Sequence, residues 1–177
     1  LSGVDTQKYF DSGKELPPDI LEKIAGDGMR NTRIIEKIEQ LINYHNRILF
    51  FGINVKHAEQ ISAFLNFVGI RSECITGATE DETRKRAIAD FKSEGGDPRV
   101  LCNYGVLTTG FDAPKASAAV IARPTTSLVL YSQMVGRVIR GPKVGGTETA
   151  EVWTVVDTNL PGFDSIPGAF TNWDDVW

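Results

Sequence analysis

The chain has 177 residues, 41% of them hydrophobic and 24% charged, with a formal net charge of −4. That size and balance suit one soluble globular domain with a sizeable core. They exclude a surface that is basic throughout, so any nucleic-acid contact must come from a local basic face or from backbone N–H groups. No apolar run approaches the ~20 residues that span a bilayer, and no signal-peptide pattern is present. The two cysteines and two histidines show no metal-ligand spacing. The chain opens on Leu1 rather than Met, which predicts a piece of something longer.

Residues 1–30 are weakly patterned and punctuated by Gly3, Gly13, Pro17, Pro18, Gly26 and Gly28. They read as a linker-like extension with one short helix after Pro18-Asp19. Asn31 is the expected N-cap of a second helix reaching about Tyr44, with Ile34, Ile35, Ile38, Leu41 and Ile42 as its core stripe. From there strand and helix alternate. Arg47 to Gly52 is an apolar strand without polar alternation, as expected when both faces are covered. Asn54 caps a helix to about Val68 that turns Ala58, Ile61, Phe64 and Leu65 inward. Arg71 to Thr76 is a second strand, and Thr79-x-x-Glu82 reads as a capping box opening a helix to about Phe91. Val100 to Tyr104, Ala118 to Ala122 and Val152 to Asp157 are the remaining strands. Short loops between such units predict an α/β fold, a doubly wound, mainly parallel sheet in a three-layer α/β/α arrangement, over residues 31–160. Residues 161–177 form an aromatic tail expected to pack back on the domain. Cys74 and Cys102 sit in apolar strands, which predicts buried free thiols in a reducing, cytoplasmic compartment.

Ligands of open α/β sheets collect at the carboxyl ends of the strands. Thr76-Gly77 lies at such an end and precedes a helix N-terminus, where free N–H groups and the helix dipole attract phosphate. An ordinary β–α turn reads equally well there. A helix from Ser127 to about Ile139 puts Gln133, Gly136, Arg137 and Arg140 in one sector and Leu128, Tyr131, Val135 and Val138 opposite. Two guanidinium groups beside a glycine suit a multiply charged anion, because each is always charged and binds phosphate bidentately. A solvated face with two surface arginines fits the same pattern.

The run Leu107-Thr108-Thr109-Gly110-Phe111-Asp112-Ala113-Pro114 precedes that helix, separated from it by the strand Ala118 to Ala122. Together, LTTGFDAP and RPTTSLVLYSQMVGRVIRG resemble motifs V and VI of superfamily 2 helicases and translocases. The resemblance covers residues 47–157 and is closest to the branch of restriction-enzyme motor subunits (ResIII) and RadD-like repair ATPases. It implies a RecA-like second motor lobe. Arg137 and Arg140 would then be arginine fingers closing over ATP, and Gly110, Asp112, Gln133 and Gly136 would lie toward the nucleotide. Thr76 and Gly77 would grip a nucleic-acid backbone, helped by Asn103 and Arg84. Arg84 matches a family arginine seven residues before a core aromatic, here Phe91, although Lys85 and Arg86 beside it also suit a solvated basic face. Two departures stand out: Asn103-Tyr104-Gly105 replaces the Thr-Asp common before motif V, and Gln133 stands where some helicases carry His.

No G-x-x-x-x-G-K-[ST] loop occurs in the chain, and no Asp-Glu pair ends a strand; Asp174-Asp175 lies in the aromatic tail. Phosphoryl transfer needs that loop, a metal and a charge-stabilising arginine, and only the arginine is here. ATP and Mg²⁺ are therefore expected mainly on a missing N-terminal RecA-like lobe, and the fragment alone is expected to be inactive. The expected partners are that lobe, nucleic acid (DNA before RNA), and restriction or repair subunits, with no membrane. The other class left open is a non-catalytic, flavodoxin-like regulatory module.

Overall fold

The computed structural model describes residues 15–106, 115–139, 146–147, 149–157 and 160. Its centre is a five-stranded sheet of β1 (Arg47–Phe51), β2 (Arg71–Ile75), β3 (Arg99–Asn103), β4 (Ala118–Ile121) and β5 (Glu151–Thr154). The strand order is β2-β3-β1-β4-β5, and every pairing is parallel. The helices are α1 (Pro18–Ala25), α2 (Gly28–Leu41), α3 (Val55–Phe67), α4 (Asp81–Lys92) and α5 (Leu128–Val135).

The uninterrupted apolar run of β1 follows from its central place. Ile48 and Phe50 pack with Ile34, Ile38 and Leu41 of α2 and with Ile61 and Leu65 of α3. Leu49 and Phe51 point to the other face, with Ala87 and Phe91 of α4 and Tyr131, Met134 and Val135 of α5. Alternate residues of one strand thus feed two cores, and a helix layer on each face completes a RecA-like α/β/α arrangement. Gly52 is required where the chain turns from β1 into α3, because a Cβ there would lie 2.9 Å from the Ala58 Cβ.

Several local expectations are corrected. Residues 16–25 are packed rather than linker-like: Leu16, Ile20, Ile24 and Ala25 form a third cluster with Ile53 and Leu160. Asp27, not Asn31, caps α2, accepting from the Arg30 N–H at 3.1 Å. Asn31 lies inside the helix and is used elsewhere. Its Nδ2 donates to Ala25 O at 2.8 Å, and its Oδ1 lies 3.0 Å from His57 Nε2. Asn54 caps α3 as expected, but Phe64 is 55% exposed and buried His57 takes the inward place. The aromatic tail at residues 161–177 lies outside the described residues.

Two buried arginines stitch the layers together. Arg30 makes a two-pronged pair with Asp157, at 2.7 and 2.9 Å, and donates to Ala122 O at 2.6 Å. Arg47 pairs with no carboxylate among the described residues; it donates to the carbonyls of Phe91, Asn46, Ser93 and Gly95, so that it caps the carboxyl end of α4. Among the described residues no helix is long and apolar enough to cross a membrane.

Candidate functional site

The described residues that follow β2, β3 and β4 lie at the carboxyl edge of the sheet, and α5 starts from that edge. After β2 the chain makes a tight turn whose two threonines hold each other. The Thr76 N–H donates to Thr79 Oγ1 at 2.9 Å, the Ala78 N–H to Thr76 Oγ1 at 3.3 Å, and the Thr79 N–H to Thr76 O at 3.1 Å. Thr76 is buried, whereas Gly77 is exposed with nothing within 4 Å of where its Cβ would be. The expected capping box does not form. Glu80 is the N-cap of α4 and makes no side-chain cap bond, because the Thr79 hydroxyl is turned back into the loop.

Arg84 is half-buried and faces this turn rather than solvent. Its Nη2 donates to Thr79 O at 2.9 Å and Thr76 O at 3.2 Å, and its Nη1 lies 3.3 Å from Asp81 Oδ1. The reading of Arg84 as part of a solvated basic face is therefore corrected. Asn103 is also placed differently from its expected exposure to a strand. It is 0% exposed, and its Nδ2 donates to Phe50 O at 2.8 Å, while its own carbonyl accepts from the Gly52 N–H at 2.9 Å. Asn103 locks the ends of β1 and β3 together from inside.

After β4, Thr125 Oγ1 donates to Glu15 Oε1 at 2.7 Å and accepts from the Ser127 N–H at 3.0 Å. Arg123 lies 3.5 Å from Glu15 Oε2 and 5.3 Å from the Tyr104 ring centroid. Glu15 was not singled out from sequence; it lies 108 and 110 positions from Arg123 and Thr125, and contacts that distant leave no periodic signal.

Ser127 caps α5, accepting from the Leu130 N–H at 3.2 Å. The helix ends at Val135, earlier than the expected Ile139, and Gly136 is its C-cap. Beyond it, Arg137 N–H bonds back to Met134 O and Val138 N–H to Val135 O in a tighter turn. Leu128 is 51% exposed, and buried Met134 joins Tyr131, Val135 and Val138 in the core stripe. Gln133 and Gly136 are exposed and Arg137 is partly so. Gly136 keeps a right-handed conformation, φ −62° and ψ −9°, so Arg137 still follows Gln133 by about one turn. A Cβ at Gly136 would meet only its own turn, Ser132 O at 3.0 Å, so no other described segment needs the space. Arg140, Gly110 and Asp112 lie outside the described residues.

A separate cavity lies elsewhere. It has about 670 Å³ between α2 and the edge strand β5, lined by Arg33, Lys37, Val120 and Trp153 among others. Among the described residues no group of three or more His, Cys, Asp or Glu could hold a metal.

Residues 33–142 match the family described as the helicase conserved C-terminal domain. The putative ATP-dependent helicase IRC3 of Saccharomyces cerevisiae is 34% identical over 92 residues, 52% of this chain and 13% of that protein. The chain spans between 13% and 27% of the length of such curated relatives. T4 UvsW superposes with a TM-score of 0.64 at 20% identity, over 85% of this chain and 30% of that one. Domain 2 of the DEAD-box helicase Mss116p, solved bound to an RNA duplex, gives 0.63 at 18% identity over 82% and 56%. Similarity at that identity establishes the fold alone. None of these matches points to a flavodoxin-like regulatory module. With a family match over more than half its length, the chain belongs to the helicase conserved C-terminal domain family.

Proposed function

We propose that the chain is the second motor lobe of an ATP-dependent helicase or translocase acting on nucleic acid, DNA before RNA, and that it serves in the ResIII/RadD-like branch. The observation that carries this is the family match over 33–142, because one stretch includes both the Thr76–Thr79 turn and Arg137. ATP and Mg²⁺ would be held mainly by a first lobe beyond this chain. Arg137, partly exposed beside Gln133 and Gly136, fits a polyphosphate edge, since a guanidinium is permanently charged and meets two oxygens at once. Arg140 is the second candidate finger. Gly110 and Asp112 would complete the nucleotide edge.

In this reading Arg137 and Arg140 meet charge that develops on the γ-phosphoryl group during transfer, and they contribute little in the ground state. Loss of that group on hydrolysis removes their anchor and lets the lobes part, which moves the lobe along the strand. The grip on the strand is by backbone alone, so it is indifferent to base sequence and does not stall the motor at favoured sites.

The test is a fluorescence-anisotropy titration of labelled single and double strands at two salt concentrations. Weak, salt-sensitive binding without sequence preference is expected, because the net charge of −4 leaves few phosphate contacts. Tight binding at high salt, or preference for one sequence, would contradict the reading. ATP turnover by the purified chain alone would contradict it too.

A further inference from the structure

We propose that Arg84 is a positioning residue: it holds the Thr76–Thr79 turn so that Gly77 faces outward, and acts on a bound strand through the backbone rather than by touching it. The inference rests on the nucleic-acid reading above and assigns Arg84 a different part from a phosphate contact. Its guanidinium is already engaged. One nitrogen bridges the carbonyls of Thr76 and Thr79, at 3.2 and 2.9 Å, and the other faces Asp81 at 3.3 Å. A planar fork spanning two carbonyls of one turn fixes their separation, which a point charge on a flexible stem does not.

The turn has no other brace of that reach. Both main-chain groups of Thr76 are used internally, by the Thr79 hydroxyl and by the Thr79 N–H. The Ala78 N–H is used by the Thr76 hydroxyl. No bond of the turn uses the Gly77 N–H, and Gly77 alone combines exposure with open space on its Cα. Glu80, Asp81 and Glu82 are exposed close by, so an approaching phosphate meets repulsion if the turn relaxes toward them. Arg84 opposes that twice, by fixing the turn and by pairing with Asp81.

A salt titration separates positioning from contact. A phosphate contact adds about 0.7 to the slope of log affinity against log salt on a single strand. With Arg84→Ala, single-strand affinity is expected to fall roughly tenfold, the scale of losing charge-assisted bonds that order a loop, with the slope unchanged. Arg84→Lys should fall nearly as far, since charge returns without the fork. Thr79→Ala, which removes the other brace, should weaken binding with the same unchanged slope, Thr79→Ser should restore it, and the double Ala variant should cost less than the sum. Thermal unfolding of each variant reports folding; if Arg84→Ala does not fold, the Thr79 pair carries the test. A slope lowered by about one contact in Arg84→Ala, or full affinity in Arg84→Lys, overturns the proposal while leaving the nucleic-acid reading standing. No binding by the unsubstituted chain removes both.

Discussion

His57 shows what burial does to a single residue. It is fully buried, and its Nδ1 accepts from the Ile53 N–H at 3.1 Å. A ring nitrogen that accepts cannot carry the proton, so Nε2 is the donor, to Asn31 Oδ1 at 3.0 Å. Loss of solvent, and then the nearby Arg30 charge, depress its pKa from 6.5 to about 4. The folded protein therefore binds fewer protons than the unfolded chain between those values. Stability is fully present above pH 6.5 and is lost as pH falls toward 4. Thermal midpoints should drop between pH 7 and 5, and His57→Gln should flatten that dependence; equal slopes would show that another group titrates. The thiols carry a second residue-scale expectation. Burial pushes Cys74 up to about 11 and Cys102 up to about 12, and both are free. Buried Cys102 should not react with a thiol reagent in the folded state at neutral pH, partly exposed Cys74 should react slowly, and both should react fast once denaturant opens the core.

Between elements, the pair Arg30–Asp157 ties the start of α2 to the chain leaving β5. Asp157→Ala strands a buried guanidinium and should cost about 3–5 kcal/mol, whereas Arg30→Met with Asp157→Leu should cost clearly less. Urea titrations of the three proteins measure this, and equal losses in the single and double variants would refute the account. The elements themselves were legible because the central strands β1 and β4 are apolar runs, short loops separate the units and α2 and α3 carry apolar stripes. Asn54 was readable as a cap for the same local reason. What sequence could not show was competition for the same side chain. Thr79 could cap α4 or close its own turn, and only the turn also satisfies the Thr76 N–H. Asn31 could start α2 or meet His57, and Asp27 left it free to do the latter. The end of α5 was misplaced because Gln133 to Arg137 keep helical phase through a tighter turn.

At the scale of the molecule, two cores share one sheet, and Gly77, Gln133 and Gly136 are exposed with Arg137 partly so. Of the candidate site residues, sequence placed Thr76 and Gly77 at the turn after β2, but it did not show which side chains the protein itself would engage. Asn103 and Arg84 turn out to be engaged with the protein itself. In the proposed reading the chain is half of a device, in which the charge that matters is local and aimed at a partner lobe. The most direct measurement is steady-state ATP turnover of the full-length parent with Arg137→Ala, alongside its nucleotide affinity. The account predicts a fall in kcat of about 10³–10⁵, the range found for arginine fingers, with ATP affinity nearly unchanged. Near-normal kcat, or a loss confined to ATP binding, would contradict it.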